Sequence, residues 1–263
     1  MGRRPDRPPQ PPPVQRLRVR YAKRGRLRFT SHRDFQRALE RALRRAELPV
    51  AFSQGFSPHP RISYAGAAPT GVASEAEYVE IALTRRCDLE AVRTALGASL
   101  PPGLDVLEVV EANSPDLAAR LQASVWLVRL PGVSADAAAS ATSRFLAADA
   151  VEVERLTRQG LRRMDARAPV VSIDLVGDAE VEMGSERSEC AILRVVVRHV
   201  TPAVRPDDIM TGLHVVADLA PPSPPLVTRL AQGLLDEQAG TVADPLTADR
   251  QPKLPQTESL ARG

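Results

Sequence analysis

Between Leu17 and Val110 the spacing of apolar residues changes twice from two to about 3.6 and back, an alternation that few folds accommodate. Leu17, Val19 and Tyr21 alternate with Arg16, Arg18 and Arg20, which predicts a strand with one basic face. Lys23-Arg24-Gly25-Arg26 turns the chain, and Leu27 and Phe29 resume the alternation. Ser31, with Asp34 three residues on, marks a helix start, and Phe35, Ala38, Leu39, Ala42, Leu43 and Ala46 then fall on one apolar stripe. Pro49 ends that helix. Arg61–Ala65 and Tyr78–Leu83 read as strands, Asp88 caps a second helix carrying Leu89, Val92, Leu96 and Leu100, and Leu104–Val110 returns as a strand. Strand, helix, strand, strand, helix, strand is the order of the split βαβ, ferredoxin-like arrangement.

The second half repeats this plan less clearly. Ser124–Leu130 and Val151–Leu156 read as strands around a helix over Ala135–Ala148. Val170–Val176 and Ala191–Val200 form a hairpin pair joined by an acidic loop, and Pro206 opens a short helix. A last strand falls near Val227. The expected fold class is α+β: two tandem ferredoxin-like (βαββαβ) domains over residues 16–112 and 123–235, the second less regular. The Pro/Arg-rich lead over residues 1–15 and the tail over 239–263 are expected to be disordered. With 263 residues and 43% hydrophobic content, the chain is long enough to bury such cores.

Charge is distributed unevenly. Residues 1–61 hold sixteen Arg or Lys against four acids, a local charge of +12, and the remainder carries −9. Such polarity points to a polyanion, and since Lys23 and Lys253 are the only lysines the positive charge is almost wholly guanidinium, suited to bidentate phosphate contacts. No apolar run is long enough for a membrane helix, and no apolar signal core follows the arginine-rich start, so a cytoplasmic protein without a membrane partner is expected. Cys87 and Cys190 lack metal-site or redox spacing, and no metal or cofactor is expected.

Candidate contacts to nucleic acid follow from the clustering. They are Arg18, Arg20, Lys23, Arg24, Arg26 and Arg28 on the first strand and turn, Arg33, Arg37, Arg41, Arg44 and Arg45 on the polar side of the helix, and Arg61 beyond it. Arg158, Arg162 and Arg163 form a further basic segment, which reads equally as an exposed hairpin. Ser53, Gly55, Phe56, Ser57, Pro58, His59 and Pro60 form a candidate recognition loop, because two prolines limit the backbone around His59 to extended conformations. Base stacking is open to one or two of Phe52, Phe56 and Tyr64, although in a chain with so few aromatics each is expected to serve the core. His32, at the helix start, and His59 are the candidate catalytic bases, and no catalytic residue is assigned beyond them. No phosphate-binding glycine loop is present.

The motifs Arg-Phe-Thr-Ser-His-Arg-Asp-Phe (28–35), Arg-Ala-Leu-Glu-Arg-Ala-Leu-Arg-Arg-Ala (37–46), Ser-Gln-Gly-Phe-Ser-Pro-His-Pro-Arg-Ile-Ser (53–63) and Pro-Thr-Gly-Val-Ala-Ser-Glu-Ala-Glu-Tyr (69–78) resemble a bacterial family, the radical-SAM-associated domain of unknown function. Members stand fused behind a radical SAM module or are encoded beside one. The resemblance implies a stand-alone accessory whose partner is a separately encoded radical SAM protein, often in a ribonuclease E/G setting, and it brings no established catalytic residue. Two cysteines cannot supply the three thiolates that hold a radical SAM cluster, so radical chemistry belongs to the partner. The fold plan also looks like that of the CRISPR repeat-processing endonucleases, which cut RNA without metal. The function expected is an RNA-binding accessory subunit in RNA or ribosome-related modification. The alternatives are a metal-independent endoribonuclease with His32 or His59 as base, and an adaptor that meets only protein.

Overall fold

The computed structural model describes residues 12–54, 56–157, 160–183 and 186–250. They form a mixed α+β structure with a large, mostly antiparallel sheet of nine strands and few helices. In chain order the first elements are β1 (Gln15–Lys23), α1 (His32–Arg45), β2 (Ile62–Ala65), β3 (Ala73–Leu83), α2 (Leu89–Ser99) and β4 (Leu104–Glu111). β1 lies between β3 and β4, antiparallel to both, and β2 pairs with the outer half of β3. Odd-numbered residues of β1 and β3, among them Leu17, Val19, Tyr21, Val79 and Ile81, meet Phe35, Leu39 and Leu43 of α1 and Val92 and Leu96 of α2 in one core. The apolar stripe of α1 dictates this packing, and Ser31 caps the helix by accepting the Asp34 amide at 3.2 Å.

The second set comprises β5 (Ala123–Pro131), α3 (Ala135–Ala147), β6 (Glu152–Thr157), β7 (Gly160–Asp165), β8 (Val170–Met183), β9 (Glu186–Arg198), α4 (Pro206–Ala217) and β10 (Leu226–Asp236). Its strands pair in the order β10, β5, β9, β8. β6 and β7 form a separate two-stranded hairpin. Trp126, Val128 and Leu130 of β5 and Leu193 and Val195 of β9 pack with Phe145 of α3 and Ile209 and Leu213 of α4. The two sets share one sheet because the start of β3 runs parallel to β10, with Ala73 beside Thr228 and Ser74 beside Arg229.

Three expectations are corrected. The acidic loop after Val176 is strand backbone: β8 and β9 stay paired out to Met183 and Glu186. The tail is not wholly disordered, since β11 (Thr241–Ala243) pairs with β10 and α5 (Thr247–Arg250) follows, with Leu246 fully buried against Tyr78 and Val110. Residues 1–11 and 251–263, also expected to be disordered, lie outside the described residues. Finally, the basic face of β1 is largely covered, because this C-terminal strap and the 112–122 connection lie over the side opposite the helices: Arg18 is buried, Arg20 half-buried, and Arg16 at the strand's start stays exposed. Among the described residues no helix is long and apolar enough to cross a membrane.

Candidate functional site

The outer face of α1 carries Arg33, Arg37, Arg41, Arg44 and Arg45, all exposed. Among the described residues Arg33, Arg37, Arg41 and Arg44 have no carboxylate within ion-pair distance, and Arg45 donates to the Ser99 carbonyl. Elsewhere arginines are mostly neutralised: Arg20, Arg24, Arg86, Arg93, Arg120, Arg155, Arg163, Arg198 and Arg250 each meet an acid. Other arginines with no acid within ion-pair distance among the described residues, such as Arg129, Arg144 and Arg162, do not form a series of this kind. On α1 they recur every three or four residues, about 4.5–6 Å along the axis, on a face that gains nothing from their mutual repulsion. Arg26 and Arg61 are also exposed, with no acid within ion-pair distance among the described residues, and Arg28 stacks its guanidinium 4.7 Å from the centre of the Phe29 ring.

The loop after α1 is built as a short hairpin. Phe52 bridges Pro60, the Ser53 amide donates to the His59 carbonyl at 2.8 Å, and the His59 amide donates to Ser53 Oγ at 3.0 Å. The Arg61 amide closes its base on the Ala51 carbonyl at 2.7 Å, and the Ala51 amide in turn joins Ala82 of β3 at 2.8 Å. Pro58 and Pro60 donate no amide hydrogen and hold their arm extended, so the hairpin is fixed by the sheet behind it. Between this hairpin and the C-terminal half of α1 lies an open cavity of about 330 Å³. Leu43, Leu48, Phe52 and Pro58 supply its apolar walls, and Glu40, Arg44 and His59 its polar groups.

The sequence candidates divide sharply. Arg18, expected on the exposed basic face, is 2% exposed: it donates to Asp249 at 2.6 Å, to Glu80 at 3.0 Å and to Ser114. Lys23 is 5% exposed, with Nζ 3.3 Å from the Pro69 carbonyl, and burial lowers its pKa. A charged group inside the molecule cannot hold an outside phosphate, so both leave the interface. Arg20 and Arg24 are spent in part on the Glu75 backbone and side chain respectively. Arg162 and Arg163 are exposed on the β6–β7 hairpin, Arg163 paired with Glu154, while Arg158 and Gly55 lie outside the described residues.

Ser53 and Pro58 are half-buried, and Ser57 and His59 are exposed. Phe52 and Phe56, expected to serve the core, are 36% and 77% exposed, while Tyr64 does pack on it, in edge contact with Phe35. The two histidines are not brought together. His32 binds the Gln36 side chain at 3.0 Å and sits edge-on to Tyr64, whereas His59 lies beside Arg44, about 18 Å of helix axis further on.

Sequence reasoning missed the buried ion pair that joins the two sets of strands. Arg229 donates to Glu77 and, at 3.3 Å, to Ser74 Oγ, and Glu77 accepts the Ala68 amide at 3.1 Å. In the sequence Glu77 falls just before the strand read from Tyr78, one of three nearby acids, and nothing local sets it apart from Glu75 and Glu80.

Among the described residues no group of three or more His, Cys, Asp or Glu is placed to hold a metal ion. No functionally curated protein is similar to the chain at a significant level. An unknown protein from Galdieria sulphuraria is 14% identical over 78% of this chain and 92% of that one, with a TM-score of 0.23. The encapsulated DyP-type peroxidase from Mycobacterium smegmatis is 11% identical over 86% of this chain and 94% of that one, with a TM-score of 0.18. At such TM-scores neither likeness supports an argument about fold or activity. Residues 16–206 match the family described as "uncharacterized protein conserved in bacteria" (DUF2344), and the chain belongs to that family.

Proposed function

We propose that the protein is an RNA-binding accessory subunit, built as two tandem ferredoxin-like units, that presents RNA to a separate radical SAM protein. Support for the fold plan comes from the strand orders β4-β1-β3-β2 and β10-β5-β9-β8, each with its helices at the positions a βαββαβ unit requires. The observation that carries the RNA reading is the series of unpaired arginines on α1. Their free guanidiniums release no protein carboxylate on binding, and each phosphate neutralised releases counterions, so the gain is largest where arginines are free and adjacent. RNA is preferred to an acidic protein surface because the series is linear and backed by exposed aromatics.

Anisotropy titrations of labelled single-stranded RNA across a salt series test this. The wild type is expected to bind with a strong inverse salt dependence. Combined Arg37→Ala, Arg41→Ala and Arg44→Ala substitution should lower the log–log slope by about two, at about 0.7 per single-strand phosphate contact. Absence of binding at low salt rejects the reading. Co-purification with the radical SAM partner that survives nuclease, combined with no RNA affinity, leaves a protein-only adaptor.

A further inference from the structure

We infer that the cavity between α1 and the Phe52–His59 hairpin receives one unpaired RNA base, of the kind that carries an exocyclic amino group. The inference rests on the RNA-binding reading and assigns a different part of the ligand to a different part of the surface.

The cavity continues the arginine series, since Arg44 belongs to both. Its chemistry nevertheless differs from that of the outer face. Leu43, Leu48, Pro49, Val50, Phe52 and Pro58 make most of its lining apolar, and Glu40 places a carboxylate in it. A phosphate gains nothing from apolar walls and is repelled by that carboxylate, whereas a flat heterocycle fits both. Few convergent polar groups in an apolar cleft of about 300–1,000 Å³ describe a small-ligand site, and 330 Å³ lies near the lower end, a size for one base with part of its sugar.

Arg44 donates, the His59 imidazole offers one donor or acceptor by tautomer, and Glu40 is the carboxylate acceptor, so an amino-bearing base edge finds its acceptor in Glu40, as cytosine does with carboxylates elsewhere. Uracil has no amino group to offer. Phe52 is 36% exposed at this wall and offers a stacking face, and Phe56 in the same hairpin is 77% exposed. These aromatics do not fill the core, and base stacking accounts for them as solvent exposure does not. Ala51 and Arg61, at the foot of the hairpin, exchange backbone hydrogen bonds with Ala82 of β3, so the wall that carries Phe52 is anchored to the sheet before a base enters.

The test uses the full chain with oligoadenylate, oligocytidylate and oligouridylate of equal length, an RNA duplex, and a single strand containing 2-aminopurine. The wild type is expected to bind the single strands more tightly than the duplex, oligouridylate least tightly among them, and to change the 2-aminopurine fluorescence on binding. Phe52→Ala should weaken single-strand binding about 5- to 150-fold, the equivalent of about 1–3 kcal/mol of stacking, and leave duplex binding and the salt slope unchanged. Glu40→Gln should remove the disadvantage of oligouridylate. Thermal melts establish that both variants fold, and Leu48→Trp, which fills the cavity without deleting a polar group, should mimic Phe52→Ala. RNA binding that is indifferent to Phe52→Ala and Leu48→Trp, or a fluorescence change that survives both, overturns the base site and leaves the arginine surface standing. Failure of the wild type to bind any RNA at low salt overturns both.

Discussion

Arg18 and Arg37 are chemically the same residue with opposite fates. Arg37 stands on a helix face in water. Arg18 is closed in by Asp249, which also accepts from Ser114 at 2.6 Å and Arg120 at 3.0 Å. Burial pushes the Asp249 carboxyl up, but the hydrogen bonds from Ser114, Arg18 and Arg120 outweigh it and lower its pKa from 3.8 to about 2. A carboxyl held below its ordinary value contributes stability that is complete above about pH 4 and is lost as pH falls toward 2. Asp249→Ala should cost about 3–5 kcal/mol, because Arg18 is left buried with less of its charge compensated. The loss of stability between pH 4 and 2, read from urea midpoints, should be shallower in the variant. The Arg18–Asp249 pair was invisible in the sequence, where the two residues are separated by 231 positions.

The elements were unevenly legible for an identifiable reason. α1 announced itself through its cap, its apolar stripe and Pro49, all local signals. The far ends of β8 and β9 did not, because backbone pairing such as Glu180 with Glu189 needs no apolar side chain, and acids there read as a loop. β11 and α5 were missed since three and four residues give no period to detect. The strap they form depends on a close approach at Gly233, where a Cβ would stand 1.9 Å from the Ala243 carbonyl oxygen. Gly233→Ala should therefore push β11 off β10, costing about 1–3 kcal/mol. Limited proteolysis should then remove residues beyond 239 much faster than from the wild type, with β10 itself left intact.

At the scale of the whole molecule, one sheet is made from two sets of strands whose shared edge is short, and a buried ion pair occupies the seam. Glu77 and Arg229 are 2% and 3% exposed, and Arg229 also lies 5.4 Å from the Trp126 ring. Glu77→Leu should destabilise by about 3–5 kcal/mol, and adding Arg229→Met should recover most of that loss, since an unpaired buried charge costs more than a missing pair. Denaturant unfolding of the two single variants and the double variant gives the coupling directly. The sequence by itself determined the α+β class and the identity of α1 with its apolar stripe and arginine face, because periodicity, caps and proline act over a few residues. Only the tertiary structure decided which cations are free to meet a partner: Arg18, Lys23 and Arg229 are drawn inside by groups on distant elements, and burial is a property of what the chain later folds over a residue.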